Sequence, residues 1–289
     1  MKIGFVGGGN MAQALMGGMI AQRIDADFVV IEPHAATRET LARTLRRIAL
    51  HDVASADLAA CDAVVFAVKP QQFREAATSA ARWLGRPTTQ PMSQSTPSMR
   101  QPLVISIAAG IRTREIAHWL GAEHAHHPVV RAMPNTPALI GEGITGLFAT
   151  PEVDTHERAL AETLLGAVGD TLWVDEEAKL DAITAVSGSG PAYVFAFIEA
   201  LQQGARELGL PEDDARRLAV ATFVGASHLA SASAEPISVL RERVTSPGGT
   251  TQAALMRMQE SGVSAAIVAA VRAAAKRSAE LGDEFGNDA

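Results

Sequence analysis

The chain has 289 residues, which is enough for one large domain or two of medium size around a sizeable core. Its formal net charge of −7, from 25 basic and 32 acidic residues, argues against a protein that binds nucleic acid through the phosphates. The single cysteine, Cys61, and the glycines at the N-terminus favour a reducing cytoplasm over secretion, and no run of about 18 apolar residues predicts a membrane span.

Short β-branched runs alternate with helical patterns over the first 170 residues. The strand-like runs cover residues 2–6, 27–31, 63–67 and 103–107, and the helical patterns cover residues 10–22, 35–45, 71–84 and 113–120. Near-continuous apolar strands between helices are typical of a parallel sheet that is covered on both faces. We therefore predict an α/β fold in which an N-terminal domain, residues 1–170, contains a doubly wound parallel sheet.

Two stretches depart from this alternation. Residues 86–102 carry four prolines and no apolar periodicity, so we predict a flexible surface excursion between a helix and the next strand. Residues 171–289 are predicted to form an all-helical second domain, with helices at 177–186, 191–208, 212–232, 238–243, 251–260 and 264–281. Its Ala-rich helices offer more apolar surface than one small domain can bury, which predicts at least a dimer.

The first strand-like run leads directly into a glycine-rich turn and a helix. Gly7, Gly9 and Ala12 fit the G-x-G-x-x-[G/A] pattern of dinucleotide-binding turns. Gly7 allows the tight turn, Gly9 lets the backbone approach a pyrophosphate, and Ala12 keeps the helix close to the sheet. The sequence therefore predicts a Rossmann domain with the pyrophosphate on the helix N-terminus. The alternative is a glycine-rich turn that binds no ligand.

Glu32 ends the second predicted strand, where this fold places an acidic residue against the adenosine ribose. A carboxylate there favours NADH, because it repels the 2′-phosphate of NADPH. His34, Thr37 and Arg38 follow closely and could bind that phosphate, so the choice between NADH and NADPH stays open. The alternative role for Glu32 is a solvated strand end.

Ligands of a doubly wound sheet bind outside the carboxyl ends of its strands. Two further strand ends are therefore candidates for the cofactor site. They comprise Val68, Lys69 and Pro70 after one strand, and Ala108, Ala109 and Gly110 after the next. The segment RAMPNTP at residues 131–137 is more rigid and polar than an ordinary connecting loop, but the sequence assigns it no role.

The helical half contains two glycine clusters that each lead into a helix. The first is SGSG at residues 187–190, and the second is TSPGGTT at residues 245–251. Glycines and threonines at a helix N-terminus form an anion site without a charged side chain, and a small carboxylate suits such a site. Each cluster is alternatively a capped turn between helices.

Six segments in this order resemble one enzyme family. They are GFVGGGNM at 4–11, AVKPQ at 67–71, SIAAG at 106–110, RAMPNTPALIGEG at 131–143, SGSGPAYVF at 187–195 and VTSPGGTTQAAL at 244–255. Together they closely resemble the pyrroline-5-carboxylate reductases over nearly the whole chain, except for residues 86–102. The resemblance implies NAD(P)H-dependent reduction of 1-pyrroline-5-carboxylate to L-proline, the last step of proline biosynthesis. It also implies a Rossmann domain followed by a helical dimerisation domain, and homodimers that often form larger rings, commonly decamers.

The resemblance also assigns site residues. Cofactor contacts fall on Gly7, Gly8, Gly9, Asn10, Met11, Ala67, Val68, Lys69, Ala108, Ala109 and Gly110. Substrate contacts fall on Ser187, Gly188, Ser189, Gly190, Gly248, Gly249, Thr250 and Thr251. Hydride would pass to the imine carbon while the carboxylate rests on the helix N-terminus, and we hypothesise that the catalytic residue Thr251 contacts the ring nitrogen. The family usually prefers NADPH and tends to have a small polar residue where Glu32 stands, so this chain departs from the family there.

Two other functions remain as alternatives. A β-hydroxyacid dehydrogenase shares the architecture, and Lys179 would be its candidate general base. A catalytically silent nucleotide-binding protein would have lost its substrate loop. The dense patch of His118, His124, His126 and His127 is interpreted as a solvated loop rather than a metal site, because no carboxylate or cysteine completes a ligand set.

Overall fold

The computed structural model describes residues 1–85, 101–121, 124 and 126–287. Within these residues one sheet contains the strands β1 (Lys2–Val6), β2 (Asp27–Ile31), β3 (Ile48–His51), β4 (Ala63–Phe66), β5 (Leu103–Ser106), β6 (Val129–Met133), β7 (Gly143–Ala149) and β8 (Gly169–Trp173). Their order across the sheet is β3-β2-β1-β4-β5-β6-β7-β8, and adjacent strands are parallel except for the antiparallel pair β6 and β7. The predicted α/β class with a doubly wound sheet is confirmed.

Helices accompany the sheet along the chain. They are α1 (Asn10–Ala21), α2 (Ala35–Thr44), α3 (Pro70–Leu84), α4 (Thr113–Leu120), α5 (Thr155–Leu165) and α6 (Lys179–Ile183). Short 3-10 helices lie at Ala56–Ala60, Thr136–Ile140 and Gly166–Val168, and one π-helical turn follows α6 at Thr184–Gly188.

The core has two parts because side chains alternate along each strand. Ile3 and Phe5 of β1 belong to one cluster, together with the buried face of α1. Val64 and Phe66 of β4 belong to the other cluster, with the buried face of α3. Almost fully buried strands of this kind require cover on both faces, which is what the apolar runs predict.

Backbone contacts divide the chain into two compact units. The first contains Met1–Gly188 and Ala274–Ala289, and the second contains Ser189–Ala273. The domain boundary predicted after residue 170 stays a prediction. The first unit extends to Gly188 because β8 pairs with β7 and the side chains of α6 pack at Gly146.

The second unit consists of helices in its described residues. They are α7 (Gly190–Glu207), α8 (Glu212–Ser231), α9 (Ile237–Arg243), α10 (Thr250–Glu260) and α11 (Val263–Asn287), of which α11 continues into the first unit from Ala274. The predicted helices of this region agree with these bounds to within a few residues, apart from the C-terminal extension of α11. In the part of the chain that the structure describes, no helix is long and apolar enough to cross a bilayer.

The sequence patterns missed β3, β6, β7, β8 and α5. Arg131 interrupts the apolar run of β6, and β7 begins with Gly143 and is interrupted by Gly146. Residues in β8 alternate between half-buried and exposed, as in an edge strand. Most of the excursion predicted at 86–102, namely residues 86–100, lies outside the described residues.

Candidate cofactor and substrate sites

The turn after β1 is shaped by Gly7. This residue has φ +99°, in the left-handed region that favours glycine. A Cβ placed there would lie 2.7 Å from the carbonyl oxygen of Ala67 and 3.0 Å from a methyl group of Val68. The N–H of Gly7 donates to the carbonyl of Ile31 at 2.8 Å. The ends of β1, β2 and β4 therefore meet at this turn.

The N-terminus of α1 presents backbone donors to an anion. The first helical hydrogen bond runs from the N–H of Gln13 to the carbonyl of Gly9 at 3.0 Å, so the N–H groups of Asn10, Met11 and Ala12 precede it. Gly9 is exposed, and a Cβ on it would meet no heavy atom within 4 Å. This open backbone surface at a helix N-terminus fits a pyrophosphate.

Glu32 is buried beside the same turn rather than solvated, with 8% of its surface exposed. Its Oε2 accepts from the N–H of Gly8 at 2.9 Å, and its Oε1 accepts from the N–H of His34 at 2.9 Å. Arg38 donates to the carbonyl oxygens of Glu32 and Pro33 at 2.6 and 2.7 Å. The carboxylate is thus fixed at the end of β2, while the guanidinium is held by backbone oxygens.

The other two predicted strand ends differ in accessibility. Ala67, Val68 and Pro70 are half-buried next to the Gly7 turn, and Lys69 is the exposed N-cap of α3. After β5, Ala108 and Gly110 are buried, and a Cβ on Gly110 would lie 3.3 Å from the ring of Phe285. Of this second group, the half-buried Ala109 is the residue that offers a surface to a ligand.

A buried amide lies next to the first segment predicted to contact substrate, residues 187–190. Asn135, 9% exposed, follows β6 and donates from Nδ2 to the carbonyl of Ser187 at 3.2 Å. Its Oδ1 accepts from the N–H of Ile144 at 2.9 Å. Sequence reasoning singled out the segment around Asn135 but missed this role, since the contact joins residues 52 positions apart. Ser187, Gly188, Ser189 and Gly190 are all half-buried.

The second segment predicted to contact substrate begins α10 in the other unit. Gly248 has φ +72°, and its N–H donates to Oε1 of Gln252 at 2.5 Å. The first helical bond of α10 runs from the N–H of Ala253 to the carbonyl of Gly249 at 3.2 Å, so the N–H groups of Thr250, Thr251 and Gln252 precede it. Thr250 is exposed and Thr251 is half-buried. These donors fit a small carboxylate, as the sequence predicts.

A buried cation on the interior strand β6 was also missed. Arg131, 4% exposed, pairs with Glu177 at 3.2 Å, and Glu177 accepts from the N–H and hydroxyl of Thr113 at 2.8 and 2.9 Å. This carboxylate stabilises the N-terminus of α4 and neutralises Arg131. The burial of Arg131 is therefore explained by a structural role, without a role in ligand binding.

Lys179 does not have the environment of a general base. Its ammonium group is exposed and pairs with Asp175 at 2.5 Å and with Glu176 at 3.7 Å. The hydrogen bond to Asp175 raises the pKa of Lys179 above its ordinary value. A general base needs a lowered pKa, so this site counts against the β-hydroxyacid dehydrogenase alternative.

The histidine patch is partly a core feature, which corrects the interpretation as a solvated loop. His124 and His127 are 1% and 3% exposed, and Nε2 of His127 lies 2.7 Å from the carbonyl oxygen of Pro102. His126 is exposed and lies 3.6 Å from Glu152. Among the residues that the structure describes, no group of three or more His, Cys, Asp or Glu side chains could hold a metal ion.

Comparison with known families agrees with this geometry. Residues 177–281 match the family model described as pyrroline-5-carboxylate reductase dimerisation, and residues 2–87 match that of coenzyme F420-dependent NADP oxidoreductases. The chain is 41% identical to the pyrroline-5-carboxylate reductase of Pseudomonas aeruginosa over 99% of this chain and 98% of that protein. It is 38% identical to the enzyme of the same name from Synechocystis, covering 98% of each chain. The chain belongs to the pyrroline-5-carboxylate reductase family.

Solved structures of the family have the same fold. The pyrroline-5-carboxylate reductase of Coxiella burnetii has a TM-score of 0.86 at 36% identity, covering 96% of this chain and 97% of that one. The Plasmodium falciparum enzyme, solved with NADP bound, has a TM-score of 0.79 at 26% identity, covering 98% of each chain. Family membership confirms the predicted enzyme class: an oxidoreductase that uses NAD(P)H to reduce pyrroline-5-carboxylate in proline biosynthesis. The match to the dimerisation model supports the predicted homo-oligomer and a small-molecule substrate.

Proposed function

We propose that this chain forms L-proline from 1-pyrroline-5-carboxylate by using two glycine-led helix N-termini for two different anions. The observation that carries the proposal is the pair of first turns, at α1 and at α10, whose N–H groups precede the first helical hydrogen bond. The α1 turn holds the pyrophosphate of NADH or NADPH, and the α10 turn holds the carboxylate of the imine.

The cofactor site is formed by residues of the first unit. Gly8, Gly9, Asn10 and Met11 hold the pyrophosphate through the backbone, and Glu32 faces the adenosine end. Ala67, Val68, Lys69, Pro70, Ala108, Ala109 and Gly110 line the strand ends on the nicotinamide side, with Ala109 providing the accessible surface. A reduced nicotinamide supplies the hydride when it is bound.

Substrate contacts are assigned to two segments: Ser187, Gly188, Ser189 and Gly190, and Gly248, Gly249, Thr250 and Thr251. Backbone donors at the start of α10 hold the carboxylate, and the hydroxyl of Thr251 hydrogen-bonds the ring nitrogen. An imine nitrogen takes up a proton from water before binding, so Thr251 orients an iminium rather than supplying a strong acid. Positioning then supplies most of the rate enhancement, up to about 7–11 kcal/mol in favourable cases.

A steady-state assay with 1-pyrroline-5-carboxylate, run in parallel with NADH and NADPH, tests this function. Turnover with either cofactor is expected, while no turnover despite cofactor binding would favour the silent nucleotide-binding alternative. Thr251→Ala is expected to lower kcat/KM by about tenfold or more, the loss of one hydrogen bond to a charged group. Thr251→Ser restores the hydroxyl and should recover most of it, and Lys179→Ala should leave kcat/KM unchanged. Wild-type kcat/KM in Thr251→Ala would remove Thr251 from the mechanism.

The proposed setting is cytoplasmic, without nucleic-acid or membrane partners. The proposed assembly is a homodimer that builds a decameric ring. Association is supported by exposed apolar side chains on the second unit's helices, including Phe195, Leu229 and Met256, and the ring is proposed from the family resemblance. Sedimentation at micromolar concentration is expected to give a mass of at least a dimer. A monomer would contradict this assembly without affecting the proposed reaction.

A further inference from the structure

The carbonyl of Ser187 lacks its ordinary helical donor. In an α-helix it would accept from the N–H of residue 191, but that residue is proline and has none. The next N–H along the chain, on Ala192, donates instead to the carbonyl of Ser189 at 3.0 Å. The π-helical turn Thr184–Gly188 ends at this point, and π-helical turns are frequent at functional sites.

The side-chain amide of Asn135 supplies the missing donor. Nδ2 donates to the carbonyl of Ser187 at 3.2 Å, and Oδ1 accepts from the N–H of Ile144 at 2.9 Å. One partner is an acceptor and the other a donor, so only this orientation of the amide satisfies both. A side chain this deeply buried, bonded at both ends to backbone, has a fixed position.

Further contacts fix the same segment. A Cβ on Gly188 would lie 2.7 Å from the terminal methyl group of Met133, so the backbone of Gly188 packs directly on the end of β6. The hydroxyl of Ser187 donates to the carbonyl of Ile183 at 3.0 Å and therefore points back along its own helix. The Ser187 backbone is thus held from outside the helix by Asn135.

We propose that Asn135 is a positioning residue that holds Ser187–Gly188 in place for the substrate, without touching the substrate itself. This inference rests on the proposed function, because it takes the segment 187–190 as part of the substrate site. The turn around Gly7 and Glu32 has its own hydrogen bonds. Loss of Asn135 should therefore weaken the use of the imine and leave cofactor binding intact.

The closest isosteric change is Asn135→Asp. It keeps an oxygen for the N–H of Ile144 and replaces the donor to Ser187 with a second oxygen. We expect kcat/KM for 1-pyrroline-5-carboxylate to fall by about tenfold or more, as for a buried polar group left unpaired. The Kd values of NADH and NADPH, measured by fluorescence titration, should stay within about twofold of wild type. Thr136→Ala, at an exposed neighbouring position, is the matched control and should behave as wild type.

A second pair of variants separates positioning from general loss of stability. Asn135→Ala removes the donor, and adding Pro191→Ala restores a backbone N–H at position 191 that can bond to the Ser187 carbonyl. The kcat/KM of the double variant should be at least about threefold higher than that of Asn135→Ala. Wild-type kinetics in Asn135→Asp, a parallel loss of cofactor affinity, or no recovery in the double variant would each overturn the inference. An inactive wild-type protein would instead overturn the proposed function.

Discussion

Glu32 should make this chain prefer NADH, and its charge is the reason. Its carboxylate is held by the N–H groups of Gly8 and His34, both at 2.9 Å, so it cannot easily turn away from the adenosine end. Arg38 is bonded to two backbone carbonyls and is not directed at a phosphate. At about 5 Å and an effective dielectric constant of about 20, one unit of charge on a 2′-phosphate is repelled by about 3 kcal/mol. Solvent at the mouth of the site reduces this, so we expect about 1.5 kcal/mol, roughly tenfold in Kd.

The test is the variant Glu32→Gln, which keeps the size and removes the charge, and whose amide oxygen can accept from one of the two N–H groups that Glu32 binds. The Kd for NADPH should fall and the ratio of the NADPH and NADH Kd values should shift by about tenfold toward NADPH. Isothermal titration of both cofactors measures this without turnover. Arg38→Ala is the matched control and should change the ratio by less than about threefold. An unchanged ratio in Glu32→Gln, or loss of NADPH binding in Arg38→Ala, would show that the basic segment governs selectivity.

Three further predictions concern stability and reactivity. Burial lowers the pKa of His127 from 6.5 to about 4. Between these two values His127 is protonated in the unfolded chain and neutral in the folded chain. The free energy of unfolding should therefore fall by about 3 kcal/mol as pH drops from about 6.5 to 4. Urea titrations over this pH range should show that the free energy of unfolding falls less in His127→Gln than in the wild type. Burial raises the pKa of the Cys61 thiol to about 12. At pH 8 this thiol should react with a disulfide reagent at least about 100-fold more slowly in the native protein than in urea. Equal rates would contradict the burial of Cys61. Gly7→Ala should lower the melting temperature, because Gly7 has φ +99° and its Cβ would clash with Ala67. Gly9→Ala should melt like wild type yet bind cofactor more weakly, and a similar melting loss in both would contradict this account.

The elements that could be predicted are those whose own residues repeat with a clear period. α1 buries Ala12, Leu15, Met16 and Met19, a spacing that a helix alone explains. β6 could not be predicted this way because Arg131 lies in the middle of an otherwise apolar strand. Its charge is paired in the core with Glu177, 46 positions away, and no local pattern encodes that partner.

The glycines show the same division between local and distant causes. Gly7 and Gly9 follow from the dinucleotide-binding pattern, since each has a role in the turn itself. Gly146 weakens β7 as a strand signal, but it is required because a Cβ would lie 2.5 Å from the side chain of Ile183. The reason for this glycine lies in α6, which packs on the sheet there. The two buried histidines were misjudged in the same way, because His127 lies against the carbonyl of Pro102 and His124 lies beside Gly85.

One part of the Asn135 contact, by contrast, can be predicted from the sequence: the loss of the ordinary helical donor to the Ser187 carbonyl. Pro191 removes the N–H from which a helical Ser187 carbonyl would ordinarily accept, because a proline has no N–H to give. What the sequence does not contain is the identity of the replacement donor, which depends on β6 ending beside the π-helical turn. A proline four residues after a helical carbonyl therefore leaves that carbonyl able to accept from a donor outside the helix. In this chain that donor is the side chain of Asn135, and the paired changes at Asn135 and Pro191 test the two halves of the reasoning together.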